Sequence, residues 1–307
     1  MCLAYSTPLN VKRFQRAKEI DMQNINQVPE TNTDSSIGRL LIQLGKIKQS
    51  DNENILRAQK DHGLRFGEAA IRLRLVTEAD ISQALALQFN YPYLQPGQGG
   101  YSSELVAAYQ PFSSQVEALR GLRSQLMTQW FSQGFKSLAV VSTNEGEGGS
   151  YLAANLAIVF SQLGQRTLLI DANLRQPRQH SIFKLGQKQG LSDIIAGRAE
   201  LSATTKVETF NDLSILGAGT IPPNPQELLN NPTFTEIMAS VIGQYDIVLV
   251  DTVPASMTAD AQATVARCGG SLLVSRLNHA RLSDITEMRE QISVTGARIV
   301  AAVVNDF

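Results

Sequence analysis

Residues 138–175 read LAVVSTNEGEGGSYLAANLAIVFSQLGQRTLLIDANLR. Leu138 to Val141 is a short apolar run, suited to a strand buried on both faces. Thr143 to Ser150 is a turn-forming segment with glycines at 146, 148 and 149. Tyr151 to Leu163 is rich in Ala and Leu at helical spacing, and Gly164 is its stop. Thr167 to Ile170 is the next buried strand and ends on Asp171. Strand, glycine-rich loop, helix and strand make one βαβ unit. Backbone N–H groups in such a loop converge on the helix N-terminus, where a phosphate is held.

The spacing G-x-x-x-x-G-K-[ST] of a P-loop is met only in part. Gly148 takes the glycine position and Ser150 supplies the hydroxyl for magnesium, but Gly149 stands where the lysine belongs. The expected nucleotide contacts are Glu145, Gly146, Glu147, Gly148, Gly149, Ser150 and Tyr151. A magnesium–nucleotide site also needs carboxylates. Asp171 ends the second strand, and Asp251 follows the buried run YDIVLV at 245–250. Taken singly, each aspartate reads as a strand-end turn former. Their order and spacing place Ser150, Asp171 and Asp251 together at the carboxyl ends of parallel strands, as the metal-holding set. Losing the lysine removes one hydrogen bond to phosphate from a charged group, worth about 1.5–3 kcal/mol. Arg175 is the candidate to restore part of that charge.

Further strands are expected at 213–217, 270–275 and 299–304, with helices between. Pro225 marks a helix start. Strands alternating with helices predict an α/β fold: a mostly parallel, P-loop NTPase-like sheet with helices on both faces. The chain has 307 residues and a net charge of −1, so no global attraction to nucleic acid is expected. No apolar run is long enough to span a bilayer, and no secretory leader is read at the N-terminus. The two cysteines and three histidines form no metal-binding pattern. A cytoplasmic protein without a transmembrane segment of its own is expected.

Residues 1–36 are polar and read as a flexible tail. Residues 37–94 contain an internal repeat at a shift of 29 positions: Gly38 matches Gly67, Ile42 matches Ile71, Ile47 matches Val76 and Leu56 matches Leu85. Each copy reads as two short helices, with Ser50/Asp51 and Thr77/Asp80 at helix starts. The two copies should pack into one small all-helical domain that precedes the sheet. The pattern resembles the MshEN-type N-terminal domain of secretion and pilus ATPases, in which tandem R-L-G-x-x-L-V-x-x-G motifs bind cyclic di-GMP. The resemblance implies Gly38, Gly45, Arg65 and Gly67 as ligand contacts. Ser36 replaces one motif arginine and Arg74 one motif glycine. A protein-docking domain is the competing reading. Residues 95–114 are expected to be a linker, and 115–307 the P-loop domain.

Glu117, Arg120 and Arg123 lie along one face of a helix. The spacing E-x-x-R-x-x-R at 117–123 joins GEGGSYLAANLA (146–157), LLIDANLRQPRQH (168–180), GLSDIIAGR (190–198), PPNPQELL (222–229) and IVLVDTVP (247–254). Together these resemble the bacterial tyrosine kinases of the polysaccharide co-polymerase family, in particular their chain-length-determinant (EpsG) type. The resemblance implies ATP and Mg2+ as cofactors, and Asp171, Arg175 and Asp251 as catalytic residues. It implies a homo-oligomer built through Glu117, Arg120 and Arg123. It also implies a membrane co-polymerase partner that holds the protein at the inner membrane, and a role in exopolysaccharide length or export. Three positions depart from the pattern: Gly149 for lysine, Asn173 for the second aspartate of D-x-D-x-R, and an ending VAAVVNDF without a tyrosine cluster. Two functions stay open: a tyrosine kinase with a degenerate P-loop, or a catalytically impaired adaptor responsive to cyclic di-GMP.

Overall fold

The computed structural model describes residues 33–88, 93–94, 97–186 and 188–307, with the side chains of 33–36 left aside. Most of the expected tail therefore lies outside the described residues. The chain forms two compact units that divide between Ala84 and Leu85.

The first unit is helical: α1 (Thr33–Gln43), α2 (Gln49–His62), α3 (Phe66–Arg72) and α4 (Glu78–Gln88) as far as Ala84. Helix α1 begins inside the stretch expected to be tail, at Thr33, ahead of the first apolar position of the repeat, Ile37. The core of the unit gathers Leu41, Ile47, Ile55, Phe66, Ala69, Ala70, Val76 and Ala84. The repeat is carried into detail. A Cβ at Gly38 would lie 2.9 Å from Asn52, and one at Gly67 would lie 3.2 Å from Ile81, its counterpart 29 positions on. Helix starts repeat likewise: the N–H of Lys48 donates to Asp51 and that of Thr77 to Asp80. Gly45 (φ +67°) and Arg74 (φ +56°) turn the chain identically.

The second unit holds one seven-stranded sheet. Its strands are β1 (Ser137–Ser142), β2 (Thr167–Asp171), β3 (Thr205–Lys206), β4 (Leu213–Leu216), β5 (Ile247–Asp251), β6 (Gly270–Arg276) and β7 (Arg298–Asn305), in the order β3-β4-β2-β5-β1-β6-β7. Every pairing is parallel except that of β3 with β4. The two-residue β3 carries too little pattern to be read from sequence. Side chains alternate across the sheet. Leu138 and Val140 enter one core, with α5 (Val106–Tyr109), α6 (Ser114–Gln129) and α7 (Gly149–Ser161). Ala139 and Val141 enter the other. That face is covered by α9 (Leu191–Ile195), α11 (Pro232–Gln244), α12 (Asp260–Cys268) and α13 (Leu282–Val294); α8 (Gln179–Ile182) and α10 (Pro225–Asn230) are short connecting turns.

The expected linker at 95–114 is corrected by the structure. Leu105, Ala107 and Ala108 are fully buried against the sheet domain. The Asn155 side chain of α7 accepts from the N–H of Ala107 at 2.9 Å and donates to the carbonyl of Glu104 at 2.9 Å. Proline and glycine content suggested a spacer, but the apolar residues in this stretch have a core to enter.

Candidate nucleotide site

The site forms where β1, β2 and β5 end. Asp171 and Asp251 face each other across the β2–β5 pairing. Both are fully buried. Asp171 is held by backbone donors: the N–H of Asn173 reaches one oxygen at 3.2 Å, and the N–H groups of Arg178 and Gln179 reach the other at 3.0 and 2.9 Å. Asp251 is bonded on one side only. Gln179 donates to its Oδ2 at 2.8 Å, while its Oδ1 is buried without a hydrogen bond. Burial, then the neighbouring Asp251 charge, push the Asp171 carboxyl well above its ordinary range. Burial pushes Asp251 up to about 6, against hydrogen bonds from Gln179 and Ser150. Two carboxylates side by side in low dielectric resist double ionisation, and a cation between strand ends relieves that conflict.

The loop turns on Gly148 (φ +86°), which caps α7. It lines a cavity of about 190 Å³, in which Glu145, Gly146, Glu147, Gly148, Gly149, Ser150 and Tyr151 all take part, with Asn173 and Arg178 across from them. Glu147 is fully buried and closes the loop on itself, accepting from the N–H of Asn144 at 2.9 Å. The Tyr151 phenol is raised by burial and by the Glu104 charge, and its OH has no partner. Gly149 starts the helix at ordinary φ. A Cβ there would lie 3.3 Å from the Ser142 side chain, so a larger residue needs only a small adjustment.

Arg175 is turned away from this cavity. Its Nε donates to Asp260 at 2.7 Å, and Asp260 is 2% exposed at the start of α12. The charge expected to offset the missing lysine is thus engaged elsewhere. Asn173 uses its side-chain oxygen to accept from the N–H of Gln176 at 3.0 Å, as a turn former does. Sequence reasoning missed Gln179, which also donates to the Ser150 carbonyl at 3.0 Å and so ties loop, α8 and Asp251 together. It missed Arg178 as well. Both sit inside LRQPRQH (174–180), where the D-x-D-x-R spacing points to Arg175 alone.

Glu117 and Arg120 bond to each other, and Arg123 donates to the Val159 carbonyl at 2.7 Å, tying α6 to α7. In the helical unit, Gly38 and Gly67 serve helix contacts and Gly45 a turn, while Arg65 is exposed at the start of α3. An open cavity of that unit, beside Arg57 and Asp61, includes none of these four. Among the described residues, no helix is long and apolar enough to cross a membrane.

The family model described as cellulose biosynthesis protein BcsQ matches residues 135–303. The putative tyrosine-protein kinase CapB of Staphylococcus aureus is 32% identical over 203 residues, covering 66% of this chain and 89% of CapB. The putative tyrosine-protein kinase EpsB of Ralstonia solanacearum is 36% identical over 201 residues, 66% of this chain but only 27% of EpsB. Among solved structures, the kinase domain of the Escherichia coli tyrosine kinase ETK superposes with a TM-score of 0.64 at 29% identity, over 66% of this chain and 79% of that domain.

Proposed function

The chain belongs to the bacterial tyrosine-protein kinases represented by CapB, and on that premise we propose that its sheet domain binds ATP with magnesium and transfers phosphoryl groups to tyrosine slowly. The observation that carries this reading is the pair of buried carboxylates at the ends of β2 and β5, with Asp251 Oδ1 left without a partner beside the phosphate loop. Ser150 and Asp251 would hold the metal, with Asp171 beside them, its carboxyl positioned by three backbone N–H groups. Magnesium supplies neutralisation of phosphate charge when bound. The amides of residues 146–150 would take the phosphates. Gly149 supplies no cation to follow charge onto the leaving oxygens, and Asn173 cannot accept a proton as a carboxylate does. Both losses fall more on the transition state than on the bound state.

Calorimetric titration with ATP, with and without magnesium, tests the reading. Saturable, magnesium-dependent binding that Asp251→Asn and Ser150→Ala abolish is expected, with turnover on a tyrosine peptide well below about one per second. No binding sinks the nucleotide reading, and ordinary turnover sinks the impaired-site part.

The wider role is that of the EpsG-type, chain-length-determinant kinases: a cytoplasmic protein held at the inner membrane by a co-polymerase partner and acting on exopolysaccharide length or export. The motif set at 117–123, 146–180 and 222–254 supports it. Deleting the gene should alter the length distribution of the exported polymer, and complementation should restore it. Cyclic di-GMP is proposed as a weak ligand of the helical unit through Arg65. The repeat glycines already have packing and turn roles, so this arginine would carry the contact. Arg65→Ala should abolish any saturable heat, and no heat at high micromolar ligand leaves a docking domain.

A further inference from the structure

We infer that Arg178 is the phosphate-binding cation of this site, standing in for the absent loop lysine, and that the Glu104 carboxylate competes with phosphate for its guanidinium. This rests on the nucleotide reading above.

Gly149 leaves the phosphate loop without its cation. The two arginines of LRQPRQH differ in how firmly they are held. Arg175 is paired with Asp260, which is 2% exposed, and pulling it away would strand a buried carboxylate. Arg178 lines the same cavity as Gly149 and Ser150. Its side chain is 52% exposed and bonds both oxygens of Glu104, 39% exposed, at 3.0 Å. An exposed ion pair of this kind contributes little, so a multiply charged phosphate can outcompete it for the guanidinium. A planar guanidinium also suits bidentate phosphate contact.

Both ends of the pair are anchored at the cavity mouth. The backbone N–H of Arg178 donates to Asp171 at 3.0 Å. The carbonyl of Glu104 accepts from Asn155 of α7 at 2.9 Å. Only the side chains need move. The charges of the pair reach the site on both sides: that of Arg178 is felt at Asp251, and that of Glu104 at Tyr151.

The test uses the full chain and fluorescent or calorimetric binding of ATP, ADP and AMP with magnesium. Arg178→Gln should weaken ATP by about ten- to a hundredfold, the equivalent of one hydrogen bond from a charged group, with a smaller effect on AMP. Arg178→Lys should recover most of the loss. Glu104→Gln should tighten ATP several-fold, the opposite of what a damaged fold produces, and the double variant should match Arg178→Gln alone. Wild-type-like ATP affinity in Arg178→Gln, together with loss of binding in Ser150→Ala, overturns this inference and leaves the nucleotide reading standing. Absence of ATP binding in both wild type and Glu104→Gln overturns both.

Discussion

Asp251 shows what a single buried carboxylate contributes. Its proton is held up to about 6 in the folded chain, against 3.8 ordinarily. A raised folded value means that the folded state binds the proton more tightly. The resulting stability is fully present below about 3.8 and is lost as pH rises through about 6. In the nucleotide-free protein, Asp251→Asn should therefore raise stability at pH 7 to 8 by about 1–3 kcal/mol, with the gain vanishing below pH 4. Urea denaturation across that range measures it. An equal stability offset at pH 3.5 and 7.5 would show that the gain has another source. Gly149→Lys belongs to the same scale. Ordinary φ admits a side chain there once Ser142, 3.3 Å from the new Cβ, gives by a few tenths of an ångström. The lysine should tighten ATP less in the wild-type background, where Arg178 already serves the phosphates, than in Arg178→Gln, where it should restore about tenfold, the effect of one hydrogen bond from a charged group. An equal gain in the two backgrounds would contradict Arg178 as the cation of the cavity.

At the scale of the element, the helical unit is two copies of one motif, and the second copy carries a strained turn. Gly45 and Arg74 occupy equivalent left-handed positions, which cost a non-glycine residue about 1–2 kcal/mol. Gly45→Ala should lower the stability of this unit by about 1 kcal/mol. Arg74→Gly should raise it by less, since glycine also gains entropy in the unfolded chain. Thermal melts of the full chain, followed through the first transition, compare the two. In the sheet unit, Asn155 of α7 ties down the α5 segment through both ends of its amide. Asn155→Ala would leave the buried N–H of Ala107 unsatisfied, at a cost of about 1–3 kcal/mol. Hydrogen exchange at Ala107 should then quicken well before exchange in β1; parallel protection of both would contradict that local role.

At the scale of the whole molecule, the expected oligomer depends on α6. Glu117 is 63% exposed, whereas Arg123 already serves the fold by bonding to Val159. Glu117→Lys therefore probes association with least damage to packing. Light scattering should show a smaller particle at an unchanged melting temperature. An unchanged mass would place the association surface elsewhere.

The sheet was legible because its strands are buried on both faces. Runs such as LAVV, TLLI and IVLV announce themselves without reference to neighbours, and a glycine loop before an Ala-rich helix fixes what lies between them. The repeat at 29 positions was equally legible, since the same packing problem recurs in each copy. Asp171 and Asp251 could be named, but 80 residues of sequence separate them, and only the pairing of β2 with β5 brings them together. The turn of Arg175 toward Asp260, the approach of Arg178 to the phosphate loop, and the burial of Leu105, Ala107 and Ala108 in what reads as a linker were decided by the tertiary structure alone. A side chain's partner depends on which distant element packs beside it, and local periodicity carries no record of that.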